Sequence, residues 1–234
     1  MTPLRHALVT GATRGIGREI ALELGRRSYR LHLTSRTAAE LETVAEEAQG
    51  GPHVTYPGDL SDPQIIRTLA DSLATDRLDL LVVNAGTAQA AAIEETSLED
   101  WDRMFNLNVR SPFLLAKSLL PRLRAATGRV IVIGSVVSTA AYSHQGAYTA
   151  SKHALYGFTK VLAKELHPEG IIVQTILPGG VATDMVRRMR PDIDTSDLIQ
   201  PMDVAQAVGS LLDAPENAVI DEIRLRRRGK SPWA

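Results

Sequence analysis

The sequence contains no cysteine. Disulfides, thiolate zinc sites and cysteine nucleophiles are therefore excluded, and no metal ligand set is expected. A reducing cytoplasm is the expected compartment. Aromatic residues make up only 4% of the 234 residues, so an aromatic-lined ligand cage is not suggested. Neither sign of charge is in excess, with 26 Lys+Arg against 27 Asp+Glu and a net charge of −1. Nucleic-acid binding by bulk basic charge is not indicated. No apolar run reaches the ~18 residues that suggest a membrane span. The longest, residues 78–85, is interrupted by Asp79 and Asn84. The first residues lead straight into an apolar run and lack the pattern of a secretory signal.

What remains is ordinary for a globular chain: 44% hydrophobic and 23% charged residues. The length predicts one domain over residues 1–234. Two hydrophobic rhythms alternate along it. Short β-branched or leucine-rich runs predict strands at 6–10, 31–34, 54–56, 78–83, 130–133, 171–176 and 219–225. Between them, apolar residues three and four apart predict helices at 16–27, 38–48, 63–74, 101–125, 148–167 and 202–212. Alternation of this kind predicts an α/β fold: a doubly wound, seven-stranded parallel sheet with helices on both faces. Residues 191–196 form the one polar stretch with the character of a mobile loop.

The first predicted strand runs into Thr10-Gly11-Ala12-Thr13-Arg14-Gly15-Ile16-Gly17, and a helix follows. Glycines serve where the backbone turns sharply or approaches a ligand closely. A helix N-terminus offers free N–H groups and partial positive charge to a pyrophosphate. The motif points to a nucleotide and to no particular reaction. The second strand ends at Thr34-Ser35-Arg36-Thr37, about twenty residues beyond the glycines. An NAD site would hold Asp or Glu there for the ribose 2′-hydroxyl. Arg36 stands there instead, and Arg14 lies in the glycine loop. Two guanidinium groups suit a 2′-phosphate, which predicts NADP over NAD.

Tyr148-Thr149-Ala150-Ser151-Lys152 opens a strongly helical segment. Residues four apart share a helix face, so Tyr148 and Lys152 point the same way. A tyrosine of pKa near 10 is a poor base at neutral pH, and a neighbouring ammonium favours its phenolate. Lowering that pKa by ~3 units takes about 4 kcal/mol, which Lys152 and a positively charged nicotinamide are expected to supply. In the reductive direction the phenol would donate its proton to a developing alkoxide. Upstream, the strand at 130–133 ends in Gly134-Ser135-Val136-Val137-Ser138. A hydroxyl at the C-terminal end of a parallel strand lies where α/β sheets bind ligands.

Residues 10–17, Asn84-Ala85-Gly86, Asn108, Ser135 and Tyr148-x-x-x-Lys152 together resemble the short-chain dehydrogenase/reductase family. The compact single-domain branch, which includes 3-oxoacyl-[acyl-carrier-protein] reductases, is the most similar. The resemblance implies that Tyr148 is the proton donor or acceptor and that Ser135 hydrogen-bonds the substrate oxygen. Lys152 would bind the nicotinamide ribose and depress the tyrosine pKa, and Asn108 would hold a water linking Lys152 to solvent. Asp59 and Leu60 would contact the adenine, and Asn84, Ala85 and Gly86 the adenosine ribose. The segment with Pro178, Gly179, Val181 and Thr183 would cover the nicotinamide, Val181 bonding the carboxamide and Thr183 lying near the phosphates. The implied partners are a small carbonyl or alcohol substrate and further copies of the chain, in a homodimer or homotetramer. The implied activity is NADP-dependent reduction of a ketone or aldehyde. A non-catalytic NADP-binding regulator or scaffold is the alternative, against which the intact Ser135, Tyr148 and Lys152 speak.

Blander readings stand beside these. Asn84 could cap the fourth strand, Asp59 the helix after it, and Ser138 could replace Ser135. His144 is either a substrate neighbour or a loop residue, and His167 answers a helix dipole. Arg187, Arg188 and Arg190 could meet an anionic substrate or form a solvated helix face. The ending 220–228, rich in arginine, departs from the glycine-rich end of many acyl-carrier-protein reductases; a charged edge strand is the plain explanation.

Overall fold

A computed structural model describes residues 4–190, 193–215 and 217–231. Seven strands form one sheet: β1 (Arg5–Thr10), β2 (Tyr29–Ser35), β3 (Val54–Pro57), β4 (Leu80–Val83), β5 (Arg129–Ile133), β6 (Ile172–Pro178) and β7 (Glu222–Leu225). Their order is β3-β2-β1-β4-β5-β6-β7, and every pairing is parallel. The chain builds outward from β1 to β3, then crosses back to place β4 on the other side of β1. That reversal opens a crevice at the C-terminal ends of β1 and β4, the place where such sheets take ligands.

Alternate strand residues feed two cores. Ala7 and Val9 of β1 face α1 (Gly15–Arg26), α2 (Ala38–Glu47) and α8 (Pro201–Leu212), packing with Ile20, Leu41 and Val208. Leu8 faces the opposite layer, where α3 (Pro63–Ser72), α5 (Ser111–Ala126) and α6 (Gly146–Leu166) contribute Ile66, Leu119 and Leu162. Burial on both faces explains why β4 reads as the uninterrupted run Leu80–Val83.

Three predicted elements differ in detail. The expected helix 101–125 is α4 (Leu98–Phe105), a π-helical turn (Asn106–Arg110) and then α5. The Ser111 N–H reaches back five residues to the Asn106 carbonyl. Pro112 has no N–H to give the Asn108 carbonyl, which is a physical reason for the wider turn. The fourth strand starts at Leu80, and the Asp79 carboxylate just before it accepts from the His6 N–H at 2.8 Å. The seventh starts at Glu222, leaving Val219 and Ile220 exposed. The predicted loop 191–196 lies partly outside the described residues. Beyond β6 comes the short α7 (Asp184–Met189). No described helix is long and apolar enough to cross a membrane.

Candidate active site

Thr10 joins the two strands that flank the crevice. Its hydroxyl donates to the Val82 carbonyl at 3.2 Å and accepts from the Asn84 and Ala85 N–H groups at 2.9 and 3.0 Å. The glycine loop starts from this knot. Gly11 has φ +65°, a left-handed conformation that side chains resist. A Cβ on Gly17 would stand 2.1 Å from the Gly11 carbonyl oxygen, so the loop folds onto α1 only with glycine there. Asn84 does more than cap β4: its Nδ2 donates to the Thr10 and Gly11 carbonyls at 2.9 and 3.2 Å and braces the loop. The first turn of α1 carries no acid and no side-chain cap, so its N–H groups face the crevice as an anion cradle.

At the end of β2, Thr13 and Ser35 share a hydroxyl–hydroxyl bond of 3.2 Å. Arg36 lines the same crevice and has no partner among the described residues. Asp59 is not the cap of α3. That cap is Asp62, which accepts from the Gln64 N–H at 2.8 Å, while Asp59 accepts from Ser61 in the preceding turn.

Across the crevice, Ser135 lies just beyond β5 and caps a short turn, its Oγ accepting from the Val137 N–H at 3.3 Å. Buried Ser138 accepts from the Ser135 N–H at 3.2 Å, so it orients Ser135 rather than replacing it. Tyr148 and Lys152 lie one turn apart on α6. The Lys152 ammonium donates to the Ile133 carbonyl at 3.1 Å, and burial lowers its pKa to about 8. Burial raises the Tyr148 phenol above its usual value, against a hydrogen bond with Ser135 that pulls it down. The expected acidification of this phenol also calls on a positively charged nicotinamide; in the chain alone, burial outweighs the Ser135 hydrogen bond.

Asn108 sits buried in the π-helical turn. Its Oδ1 accepts from the Thr87 N–H at 2.8 Å, and its Nδ2 donates to the Thr87 carbonyl at 2.8 Å and to Ser151 Oγ at 3.0 Å. Its carboxamide therefore holds the strand-end loop against α6. A Cβ placed on Gly86 would lie 3.2 Å from Asn108 Oδ1 and 3.8 Å from Lys152 Nζ, which shows how closely these groups converge.

The far wall is the segment after β6. Its Gly179 N–H bonds the Leu225 carbonyl at 2.8 Å, and Val181 bridges to Ile199. Thr183 caps α7 and lies against the glycine loop, its Cγ2 3.1 Å from where a Cβ of Gly15 would be. The arginine-rich end is not a free tail. The Arg227 side chain is 13% exposed, pairs with Asp197 at 3.2 Å and packs over Gly180.

These walls enclose one cavity of about 610 Å³. Every residue that the sequence placed at the site lines it except Gly17 and Asn108, which act from behind. His144 and Ser138 do not line it. Sequence reasoning missed Thr87, Arg103 and Leu107, which carry no motif; Thr87 is held in place by Asn108.

Residues 5–194 match the family model for short chain dehydrogenase. The chain belongs to the short-chain dehydrogenase/reductase family. It is thus an NAD(P)-dependent oxidoreductase acting on a CH–OH group or the corresponding carbonyl. Among relatives, the 3-oxoacyl-[acyl-carrier-protein] reductase of Synechocystis is 34% identical, with 92% of this chain and 91% of that protein covered. Among solved structures, an alcohol dehydrogenase from Thermococcus sibiricus complexed with 5-hydroxy-NADP has a TM-score of 0.91. It is 27% identical, and 99% of this chain and 100% of that one are covered. The Pseudomonas aeruginosa RhlG/NADP active-site complex has a TM-score of 0.86 at 34% identity, covering 96% and 95%. In this family member the dinucleotide fits the residues present: glycines where a Cβ would collide, a helix N-terminus without acid, and a cavity running from Arg36 to Tyr148.

Proposed function

We propose that this chain is an NADPH-dependent reductase of ketones or aldehydes, with Tyr148 as the proton donor. The observation that carries the reading is that Ser135, Tyr148 and Lys152 line the same cavity as the glycine loop. The bound nicotinamide supplies the hydride. Ser135, fixed by Val137 and Ser138, presents its hydroxyl to the substrate oxygen. Tyr148 hydrogen-bonds Ser135 and stands ready to protonate the developing alkoxide. A phenol held above its usual pKa carries its proton at neutral pH, the state that reduction requires. Lys152, with a pKa of about 8, is mostly an ammonium at pH 7 and stabilises the phenolate left behind. Asn108 keeps Thr87 and the strand-end loop in place beside it. Gly11, Gly15, Ile16, Asp59, Leu60 and residues 84–86 would hold the adenosine half, and residues 178–183 the nicotinamide half.

The choice of NADP follows from the end of β2. Arg36 is unpaired at the cavity wall, and no acid stands there to take a ribose 2′-hydroxyl. Exposed Trp101, Phe113 and Val161 on α4, α5 and α6 suit the pairing of that face with a second copy.

Loss of NADPH absorbance at 340 nm across a carbonyl panel tests the activity; turnover is expected with at least one ketone or aldehyde. Arg36→Asp is expected to lower the NADPH-over-NADH ratio of kcat/KM by about tenfold or more. An unchanged ratio would remove Arg36 from the cofactor assignment.

A further inference from the structure

Residues 180–182, after β6, are tied to Ile199. Ala182 donates to the Ile199 carbonyl at 2.8 Å, and Ile199 donates to the Gly180 carbonyl at 3.1 Å. Between these anchors lies α7, and its residues Asp184, Arg187 and Arg188 help to line the catalytic cavity.

Asp184, Asp194 and Asp197 are each engaged among the described residues. Asp184 lies 3.7 Å from Arg14 across the crevice and 3.1 Å from Arg187 on its own helix. Asp197 is taken by Arg227, and Asp194 by the Ser196 N–H at 2.9 Å. On the facing wall, Arg103 is held by Asp100 at 2.8 Å and by Gln89. Arg188 is different. It lines the cavity, and no acid, carbonyl or ring partners it among the described residues. Its guanidinium is a planar fork suited to carboxylate or phosphate, left open at the wall of the cavity that Tyr148 also lines.

We propose that Arg188 is a specificity-determining residue that receives an anionic group, a carboxylate or a phosphate, carried by the carbonyl substrate. This rests on the reductase reading above and names the substrate class for it. Arg188 reads the substrate end remote from the reacting carbon, so its contribution is to binding and not to the proton step.

Matched pairs test it, followed by NADPH oxidation: 3-oxobutanoate, 4-oxopentanoate and 5-oxohexanoate against their methyl esters, and dihydroxyacetone phosphate against dihydroxyacetone. The wild type is expected to favour the anion of at least one pair by about tenfold or more in kcat/KM. The carboxylate and phosphate arms tell the two sources apart. Arg188→Gln is expected to erase that preference through KM, with the neutral partner and the NADPH Kd unchanged. Arg188→Lys is expected to restore part of it. Neutral ketones reduced as well as their anions would overturn the inference and leave the reductase intact. So would a preference that survives Arg188→Gln, or an effect of that change on NADPH affinity alone. No turnover of any carbonyl, with NADPH still bound, would overturn both readings.

Discussion

Tyr148→Phe lowers carbonyl reduction by about a thousandfold, within the range expected for removal of a general acid, and leaves NADPH affinity within about twofold. Phenylalanine keeps the ring and its packing and removes only the hydroxyl that bonds Ser135. The loss therefore appears in kcat. Ser135, still fixed by Val137 and Ser138, continues to position the substrate oxygen, so KM moves little. Single-turnover reduction with bound NADPH is the clean measurement, because it separates chemistry from product release. A variant retaining a tenth or more of wild-type turnover would show that the proton comes from elsewhere and would end the Tyr148 assignment. Solvent provides the contrast: if water were the donor, the phenol's hydroxyl would be dispensable and the pH profile would not change between wild type and variant.

The sheet was legible because its causes are local. Seven apolar runs separated by periodic helices leave little besides a parallel sheet, and Gly11, Gly15 and Gly17 mark the turn after β1 through conformations and contacts that other residues resist. Tyr148 and Lys152 were legible for the same reason, since helical spacing alone puts them on one face. Features that depend on distant partners were not. The burial that holds the Tyr148 phenol above its usual value was not legible, because it comes from chain segments distant in sequence. The π-helical turn was invisible to periodicity, which one wider turn barely disturbs; Pro112, four residues after Asn108, was the available signal. Arg227 read only as part of an arginine-rich ending, because nothing in the run 224–228 foretells Asp197 or the bare backbone at Gly180. Asp62 and Asp59 both sit where a cap could be, and only Pro63 after Asp62 favours the former.

The same distance effect hides a polar chain under α3, and it sets the acid stability. His6 Nδ1 lies 3.0 Å from His32 Nε2, and His32 Nδ1 lies 3.2 Å from the Tyr56 hydroxyl, which accepts from the Ala74 N–H at 2.9 Å. His32 is fully buried, and burial followed by the charges of His6, Arg30 and His53 lowers its pKa from 6.5 to about 4. His6 is lowered too, chiefly by burial and against the pull of Asp79. An unfolded chain therefore takes up a proton near pH 6.5 that the folded chain refuses until about pH 4. Protons bound only by the unfolded state lower stability as pH falls, so the contribution is intact above pH 7 and lost progressively between 6.5 and 4. From pH 7 to pH 5 the loss from His32 alone comes to about 2 kcal/mol. Between pH 7 and pH 5 the carboxylates stay mostly ionised, so their ion pairs are still formed. Urea unfolding at pH 7 and pH 5 measures it. His32→Gln offers an amide that donates and accepts at both pH values, and it is expected to remove at least half of the difference while His6 supplies the remainder. An equal pH dependence in wild type and variant would mean that the histidine pair opens to solvent before the domain unfolds, and that its proton is taken up by the folded chain.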